Sequence, residues 1–295
     1  MKIILFGKNG QVGRRLVSLL PSDNELISFD RTSLDLSNFA KVKEVIEINR
    51  PDIVINAAAY TQVDRAEFQQ DLTYLVNQKA PEVMAAESNA VGAWFVHYSS
   101  DYVFDGSLQR SYTENDEPNP LSVYGNSKLK ADQFIQQYCD KYMIFRTCAV
   151  FDSYGSNFPN TILRLAKKLP ELKVINDQFT TPTHAGFIAD LTYAMIQRIK
   201  GCGRSLSGLY NVANSGEAVS WYEFAKILIK KLAVLEGRDM SCYAKILPIS
   251  SAEYQQDAKR PQHSSLNIEK IQKQVGFVAP YWQDYVSLFY KELKK

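Results

Sequence analysis

The chain is short of several things that would narrow its role at once. Its 295 residues hold only four cysteines, Cys139, Cys148, Cys202 and Cys242, far apart and without a CxxC pair. That excludes a disulfide framework and points to reduced, mostly buried thiols. The three histidines, His97, His184 and His263, lack the spacing of a metal site. No apolar run approaches the ~18 residues of a membrane span, and the apolar stretch after Met1 is too short for a secretory signal. A cytoplasmic protein with no membrane partner is the resulting expectation. Neither charge is in excess, since 34 basic and 32 acidic side chains leave +2. This excludes a charged disordered chain and gives no support to a nucleic-acid-binding face. A small anionic ligand needs only a local pocket and stays open.

What is present is an alternation of strands and helices. Lys2 to Phe6 reads as a short buried strand, followed by a glycine-rich turn and a helix through Arg15, Leu16, Val17 and Leu20 that Pro21 stops. Glu25 to Phe29 is a second strand, ending at Asp30. A helix over Ser37 to Asn49 ends before Pro51, and Asp52 to Asn56 is a third strand. A helix over Leu72 to Ala90 leads to a strand over Gly92 to Tyr98. A helix over Ser122 to Cys139 leads to a strand over Tyr142 to Arg146. Strands this apolar, separated by helices, make an α/β, doubly wound parallel sheet built from right-handed crossovers.

The last third is different. Helices over Asn157 to Lys168 and Phe187 to Ile199 flank an extended Lys173 to Asn176 and a turn-rich Asp177 to His184. Ser220 opens a helix to Leu235, with Glu223 completing a capping box. A loop-rich stretch through Pro248, Tyr254, Arg260 and Pro261 then precedes helices over Asn267 to Val275 and Trp282 to Lys291. We therefore expect a cofactor domain over residues 1–150 and a smaller mixed substrate-binding domain over 151–295, with some segments of the latter returning to the main sheet.

Gly7-Lys8-Asn9-Gly10-Gln11-Val12-Gly13 follows a strand and opens a helix. Its first glycine permits a tight turn, its second lets backbone approach a pyrophosphate, and its third lets helix and strand pack closely. The helix N-terminus points unpaired amides at the anion. Asp30, at the end of the second strand, suits the ribose hydroxyls of NAD, whereas Arg31 beside it suits the 2'-phosphate of NADP, so both NADPH and NADH stay open. Asp35-Leu36 places Asp35 near the adenine. Ala57, Ala58 and Ala59 keep the third strand's end small where a dinucleotide passes.

The fourth strand ends in Ser99-Ser100-Asp101-Tyr102, at the carboxyl edge where open α/β sheets bind ligands. Tyr124 and Lys128, four apart, share one helical face. Reduction of a carbonyl by hydride needs a proton for the developing alkoxide. A phenol can give it, and an ammonium nearby lowers the phenol's pKa. In this reading Tyr124 is the acid, Lys128 lowers its pKa and holds the nicotinamide ribose, and Ser100 steadies the carbonyl oxygen.

These motifs carry a resemblance. The chain resembles the extended short-chain dehydrogenase/reductases and, within them, the dTDP-4-dehydrorhamnose reductases, over almost its whole length. The shared stretches include the glycine loop, Arg50-Pro51-Asp52, Asn56-Ala57-Ala58-Ala59-Tyr60-Thr61 with Val63, Asp64, Ala66 and Glu67, and Ser99 to Gly106. They also include Tyr124-Gly125 with Lys128, Phe145-Arg146-Thr147, Asn176-Asp177-Gln178 and Arg260-Pro261 with Ser264 and Leu266. The resemblance implies a Rossmann-type sheet and reduction of dTDP-4-dehydro-L-rhamnose at C4. It also implies a nucleotide-sugar side formed by Val63, Asp64, Ser100, Asp101, Tyr102, Asn176, Asp177, Gln178 and Arg260, the last as a partner for the diphosphate.

Three positions depart from the family. Ser100 stands where threonine is usual, which keeps the hydroxyl. Cys148-Ala149-Val150-Phe151 stands where Ser-Trp-Val-Tyr is usual, so an aromatic wall is lost or supplied from elsewhere. Arg15 and Gly186 stand where some members carry glutamates that bind magnesium between subunits. This implies no metal-bridged dimer and a monomer or weak homodimer. Two other readings stay open: a reductase for a different nucleotide-linked keto sugar, and a noncatalytic nucleotide-binding subunit.

Overall fold

A computed structural model gives the fold and describes residues 1–22, 24–202 and 206–294. Six strands, β1 (Lys2–Phe6), β2 (Glu25–Phe29), β3 (Ile53–Asn56), β4 (Trp94–Ser100), β5 (Tyr142–Thr147) and β6 (Gly208–Val212), form one sheet in the order β6-β5-β4-β3-β1-β2. Every neighbouring pair is parallel. The order reverses at β1, between β2 and β3. That is the switch point where the carboxyl ends of the strands diverge and leave a crevice.

Successive strand residues face opposite sides, so each buried run feeds two cores. Ile3, Leu5, Ile53, Ile55, Val96, Met143 and Phe145 join one core, under α1 (Gln11–Leu19) and α5 (Ala185–Cys202). Ile4, Phe6, Val54, Phe95 and Ile144 join the other, under α2 (Phe39–Asn49), α3 (Ala80–Val91) and α4 (Val123–Tyr138). Burial on both faces is why these strands are continuously apolar. Asn38, Ser122 and Ser220 cap α2, α4 and α6 (Trp221–Glu236) by accepting backbone amides.

β6 is the segment from the last third that returns to the sheet, beside β5. A third core, around Phe151, Phe224, Leu228, Trp282 and Phe289, belongs to α6, the helices Phe158–Ala166 and Trp282–Leu293, and a parallel strand pair. That pair joins Glu171–Ile175 to Lys245–Ile249. The second of these strands was expected as loop. Pro248 interrupts its pattern, and proline is tolerated because the strand has a neighbour on one side only.

The helix expected over Leu72 to Ala90 is also not uniform. Gln70–Tyr74 is followed by a π-helical turn at Leu75–Lys79 and then α3. The wider turn turns Asn77 inward, where its Oδ1 accepts from Tyr60 N at 2.7 Å and its Nδ2 donates to Tyr60 O at 3.0 Å. Cys139, Cys148 and Cys242 are free thiols, the first two buried; the side chain of Cys202 lies outside the described residues. Among those residues no helix is long and apolar enough to cross a membrane.

Candidate active site

The turn after β1 is built to let something pass close to backbone. Gly7 has φ +90°, and a Cβ there would stand 2.6 Å from Ala58 N; one on Gly13 would stand 2.0 Å from Gly7 O. The turn is pinned by Gly7 N and Lys8 N donating to Phe29 O at 2.8 and 3.0 Å, and by Gly10 N donating to Gly7 O at 3.0 Å. Val12 packs into the core and Gln11 faces the sheet's ligand edge. These features fit a dinucleotide pyrophosphate at the N-terminus of α1. A cavity of about 140 Å³ opens beside it, lined by Gly7, Asp30, Arg31, Asp35, Leu36, Ala58 and Ala59 among others. Ala57 donates its N–H to Phe6 O at 2.9 Å, holding the end of β3 against β1.

Asp30 is more occupied than the sequence suggests. Its Oδ1 accepts from the N–H and hydroxyl of both Thr32 and Ser33, and its Oδ2 accepts from Asn9 Nδ2 at 2.9 Å. The Thr32 hydroxyl first, then Ser33 and the nearby Lys8 ammonium, hold this carboxyl far below the usual range. Asp35 likewise accepts from Ser37 N and Oγ, and Arg31 is exposed beside it.

At the end of β4 a second cavity, of about 340 Å³, is lined by Gln11, Val63, Ser100, Asp101, Tyr102, Tyr124 and Gln178. Ser100 Oγ accepts from Tyr102 N and donates to Asp101 Oδ1, both at 3.1 Å, and lies close enough to the Tyr124 phenol to favour its ionised form. Tyr124 packs edge-to-face on Tyr102, with ring centroids 5.9 Å apart. Two hydroxyls therefore meet at one wall of a cavity that adjoins the glycine turn.

Lys128 is placed differently from expectation. Its Nζ donates to Tyr98 O at 2.6 Å and lies 3.1 Å from His97 Nε2, inside the protein rather than against the phenol. Burial pushes Tyr124 up to about 12, and Ser100's hydrogen bond only partly opposes it. In this state desolvation, not a neighbouring cation, governs the phenol.

Asp101 is buried among neutral groups, and burial pushes its carboxyl up to about 7 despite hydrogen bonds from Ser264 and Ser100. A carboxyl whose folded pKa exceeds its unfolded 3.8 contributes stability that is full below about pH 4 and lost as pH rises to about 7. Asp101→Asn removes that loss. Between pH 5 and pH 8 the variant should gain about 2–3 kcal/mol relative to wild type, read by urea unfolding at the two pH values. Parallel pH dependence in both proteins would refute the assignment.

On the far side, a cavity of about 270 Å³ is lined by Tyr102, Gln178, Trp221, Tyr254, Gln256 and Arg260, among others. Arg260 is already paired. It donates to both Asp64 oxygens, at 3.0 and 2.6 Å, and lies beside the Tyr102 phenol. Burial works against the Asp64 carboxylate, but Arg260 and Ala258 N bring it below the usual range. Asp64 thus positions Arg260 rather than lining a cavity. Two expected residues also lie elsewhere. Asn176 is exposed, its N–H donating to Ile249 O, and Asp177 accepts from Ser251 N and Oγ, tying down the loop after Lys245–Ile249. Of that triplet only Gln178 faces the cavities.

Ala149 lines the larger cavity with a left-handed φ of +41°, and Trp221, from the start of α6, lines the same cavity. The aromatic surface missing at 149 thus comes from a different element. Asn157 joins the two sides, donating to Gln11 Oε1 at 2.8 Å. Neither Trp221 nor Asn157 is marked by the sequence pattern: Asn157 reads as a helix cap and Trp221 as the first residue after one.

One cluster among the described residues, Asp152, His184 and Glu292, has ligand atoms close enough to hold a cation. Arg15 already sits in it, donating to Asp152 at 2.6 and 2.8 Å and to Glu292. A fixed guanidinium charge there opposes a second cation, so these residues do not suit magnesium.

Comparison with known proteins agrees with this geometry. The family model described as the RmlD substrate binding domain matches residues 1–295. The dTDP-4-dehydrorhamnose reductase of Escherichia coli K12 is 41% identical over 297 residues, covering 99% of this chain and 98% of that protein. A Bacillus anthracis dTDP-4-dehydrorhamnose reductase, solved in complex with NADP, is 34% identical with TM-score 0.89 over 99% of both chains. A Clostridium acetobutylicum counterpart is also 34% identical, with TM-score 0.90 over all of both chains. A glycine cradle at the switch point, a serine–tyrosine pair at the end of β4 and full-length likeness to these enzymes have one explanation: the chain belongs to the RmlD family, that of the dTDP-4-dehydrorhamnose reductases.

Proposed function

We propose that this protein reduces the C4 keto group of dTDP-4-dehydro-L-rhamnose to give dTDP-L-rhamnose, using NADPH or NADH, for cell-surface polysaccharide synthesis. The observation that carries the reading is the meeting of Ser100 and Tyr124 hydroxyls in a cavity that touches the dinucleotide cradle through Gln11 and the Arg260 cavity through Tyr102 and Gln178. Residues 1–150 supply the cofactor side, and residues 151–295 supply most of the sugar-nucleotide side.

Gly7, Gly10, Gly13 and the amides at Gln11 and Val12 hold the pyrophosphate, while Asn9, Asp30, Arg31, Asp35, Leu36 and the Ala57–Ala59 backbone frame the adenosine. The reduced nicotinamide supplies the hydride. Tyr124, protonated at neutral pH, donates its proton to the keto oxygen as negative charge develops there. Ser100 hydrogen-bonds the same oxygen and keeps it within reach of the phenol. Lys128 orients the ribose side. Val63, Asp101, Tyr102 and Gln178 line the sugar, and Arg260, held by Asp64, faces the substrate diphosphate. With Arg15 closing the acidic cluster, the protein works as a monomer or weak homodimer.

A panel of dTDP-, UDP- and GDP-linked 4-keto sugars with NADPH and with NADH tests this. We expect kcat/KM for dTDP-4-dehydro-L-rhamnose to exceed the UDP and GDP compounds by about 100-fold or more. A preference for another nucleotide would replace the substrate. No oxidation with any keto sugar would replace the enzyme by a nucleotide-binding subunit.

A further inference from the structure

The end of β2 carries two side chains with opposite preferences at one corner of the cofactor cavity. An unoccupied Asp30 carboxylate would accept from the adenosine ribose hydroxyls, whereas Arg31 would pair with a phosphate on that ribose. Both line the cavity of about 140 Å³ beside the glycine turn. Hydrogen bonds already made within the protein decide which of the two is available.

A carboxylate offers about four lone-pair sites over its two oxygens. Asp30 Oδ1 accepts from Thr32 N at 3.1 Å, Thr32 Oγ1 at 2.7 Å and Ser33 N at 2.9 Å. The Ser33 hydroxyl is also 2.9 Å away, sharing its hydrogen with Asp30 O at 3.1 Å. Oδ2 accepts from Asn9 Nδ2 at 2.9 Å and lies 3.5 Å from the Lys8 ammonium. Both oxygens are therefore filled from inside the protein. A ribose hydroxyl could reach Oδ2 only by displacing Asn9 or Lys8. That exchanges one charge-assisted contact for another, with little net gain. Asp30 instead closes a turn, in which Leu34 N also donates to Asp30 O at 2.9 Å.

Arg31 is the converse. It is exposed at the same cavity and donates to no described residue. The charges around it balance, since Lys8 and Arg31 face Asp30 and Asp35, and Asp35 is itself bonded by Ser37 N and Oγ. With little net field across this corner, the donors left over decide what binds there. A guanidinium meets a phosphate with two parallel hydrogen bonds, and a ribose hydroxyl gives it no such match.

We propose that Arg31 makes this protein select NADPH over NADH by binding the 2'-phosphate of the adenosine ribose, while Asp30 shapes the turn that presents Arg31 rather than binding the ribose. This deepens the proposed function by choosing between its two cofactors. It rests on the dinucleotide site of that reading and needs no particular sugar.

The experiment is calorimetric titration of the full-length protein, without any sugar, using dinucleotides that differ only at the adenosine 2' position. 2'-Deoxy-NADH, NADH and NADPH carry hydrogen, hydroxyl and phosphate there. The first two should bind within about threefold of each other, because Asp30 has no lone pair to spare. NADPH should bind about tenfold or more tighter than either. Arg31→Ala should bring NADPH to within about threefold of NADH. An NADH that binds about tenfold or more tighter than its deoxy analogue would return Asp30 to the ribose and overturn the proposal. NADPH no tighter than NADH would overturn it too, as would a preference for NADPH that survives Arg31→Ala. The wild-type series decides the matter even if the variant does not fold. The expected series from a protein that oxidises neither cofactor with any keto sugar would refute the reductase reading and leave this one standing.

Discussion

Tyr124→Phe should lower kcat for keto-sugar reduction by about 10³-fold or more while leaving dinucleotide affinity within about twofold of wild type. The substitution removes one oxygen and nothing else. The ring keeps its edge-to-face contact with Tyr102, and Ser100 keeps its bonds to Asp101 and Tyr102 N. No buried polar group is stranded, so the melting temperature should move little. What disappears is the proton donor. The expected pattern is therefore an intact, cofactor-binding protein that does not turn over, measured by nicotinamide absorbance, calorimetric titration and thermal melting on the same preparation. Activity within about tenfold of wild type would assign the proton to another group. Asp101, whose carboxyl is pushed up to about 7, would then be the next candidate.

The cofactor half of this arrangement was readable from sequence because its constraints are local. A glycine turn between a strand and a helix, small residues at a strand end and a Tyr–Lys pair one helical turn apart each specify geometry within a few residues. The apolar runs Ile3 to Phe6, Ile53 to Ile55 and Trp94 to Val96 likewise announce burial on both faces. Pairings between distant segments were not readable. Arg260 and Asp64 are 196 positions apart and Arg15 and Glu292 are 277 apart, so no spacing rule links them. Asn176, Asp177 and Gln178 are adjacent, yet the chain turns between them and only the third faces the cavities.

The surroundings of Lys128 were not readable for a different reason. Sequence shows that a lysine lies one turn from a tyrosine. It does not show that β4 brings the His97 ring and the Tyr98 carbonyl to its Nζ, with Asn56 of β3 behind the ring. Burial acts in the same direction at Lys128, His97 and Tyr124, disfavouring the charged form in each case. Around these buried groups the other charges sit in pairs: Asp132 with Arg146, Asp64 with Arg260, and Asp152 and Glu292 with Arg15.

Gly13→Ala should damage both the fold and the cofactor cradle. The added Cβ would stand 2.0 Å from Gly7 O, 2.8 Å from Gly7 C and 3.2 Å from Lys8 Cα, all of them backbone atoms. No side chain can rotate away, and Gly7 O is itself held as the acceptor of Gly10 N. Relief requires α1 to lift from the turn, and α1 carries Leu16 into the core beneath β1 and β3. The expected cost is about 2–3 kcal/mol of stability, with dinucleotide affinity reduced about 100-fold or more because the N-terminal amides no longer converge. Gly10→Ala separates the two effects. Gly10 has an extended backbone that any residue can adopt, and its Cβ would meet Gly7 O at 3.4 Å and Ala57 O at 3.6 Å. The fold should accept that methyl with a change of about 0.5 kcal/mol or less. Its Cβ stands at the mouth of the cradle, so affinity for NADPH should still fall. Denaturant unfolding alongside calorimetric titration distinguishes the outcomes. Equal losses of stability in both variants would mean that the second glycine serves packing, and the anion would have to be held elsewhere.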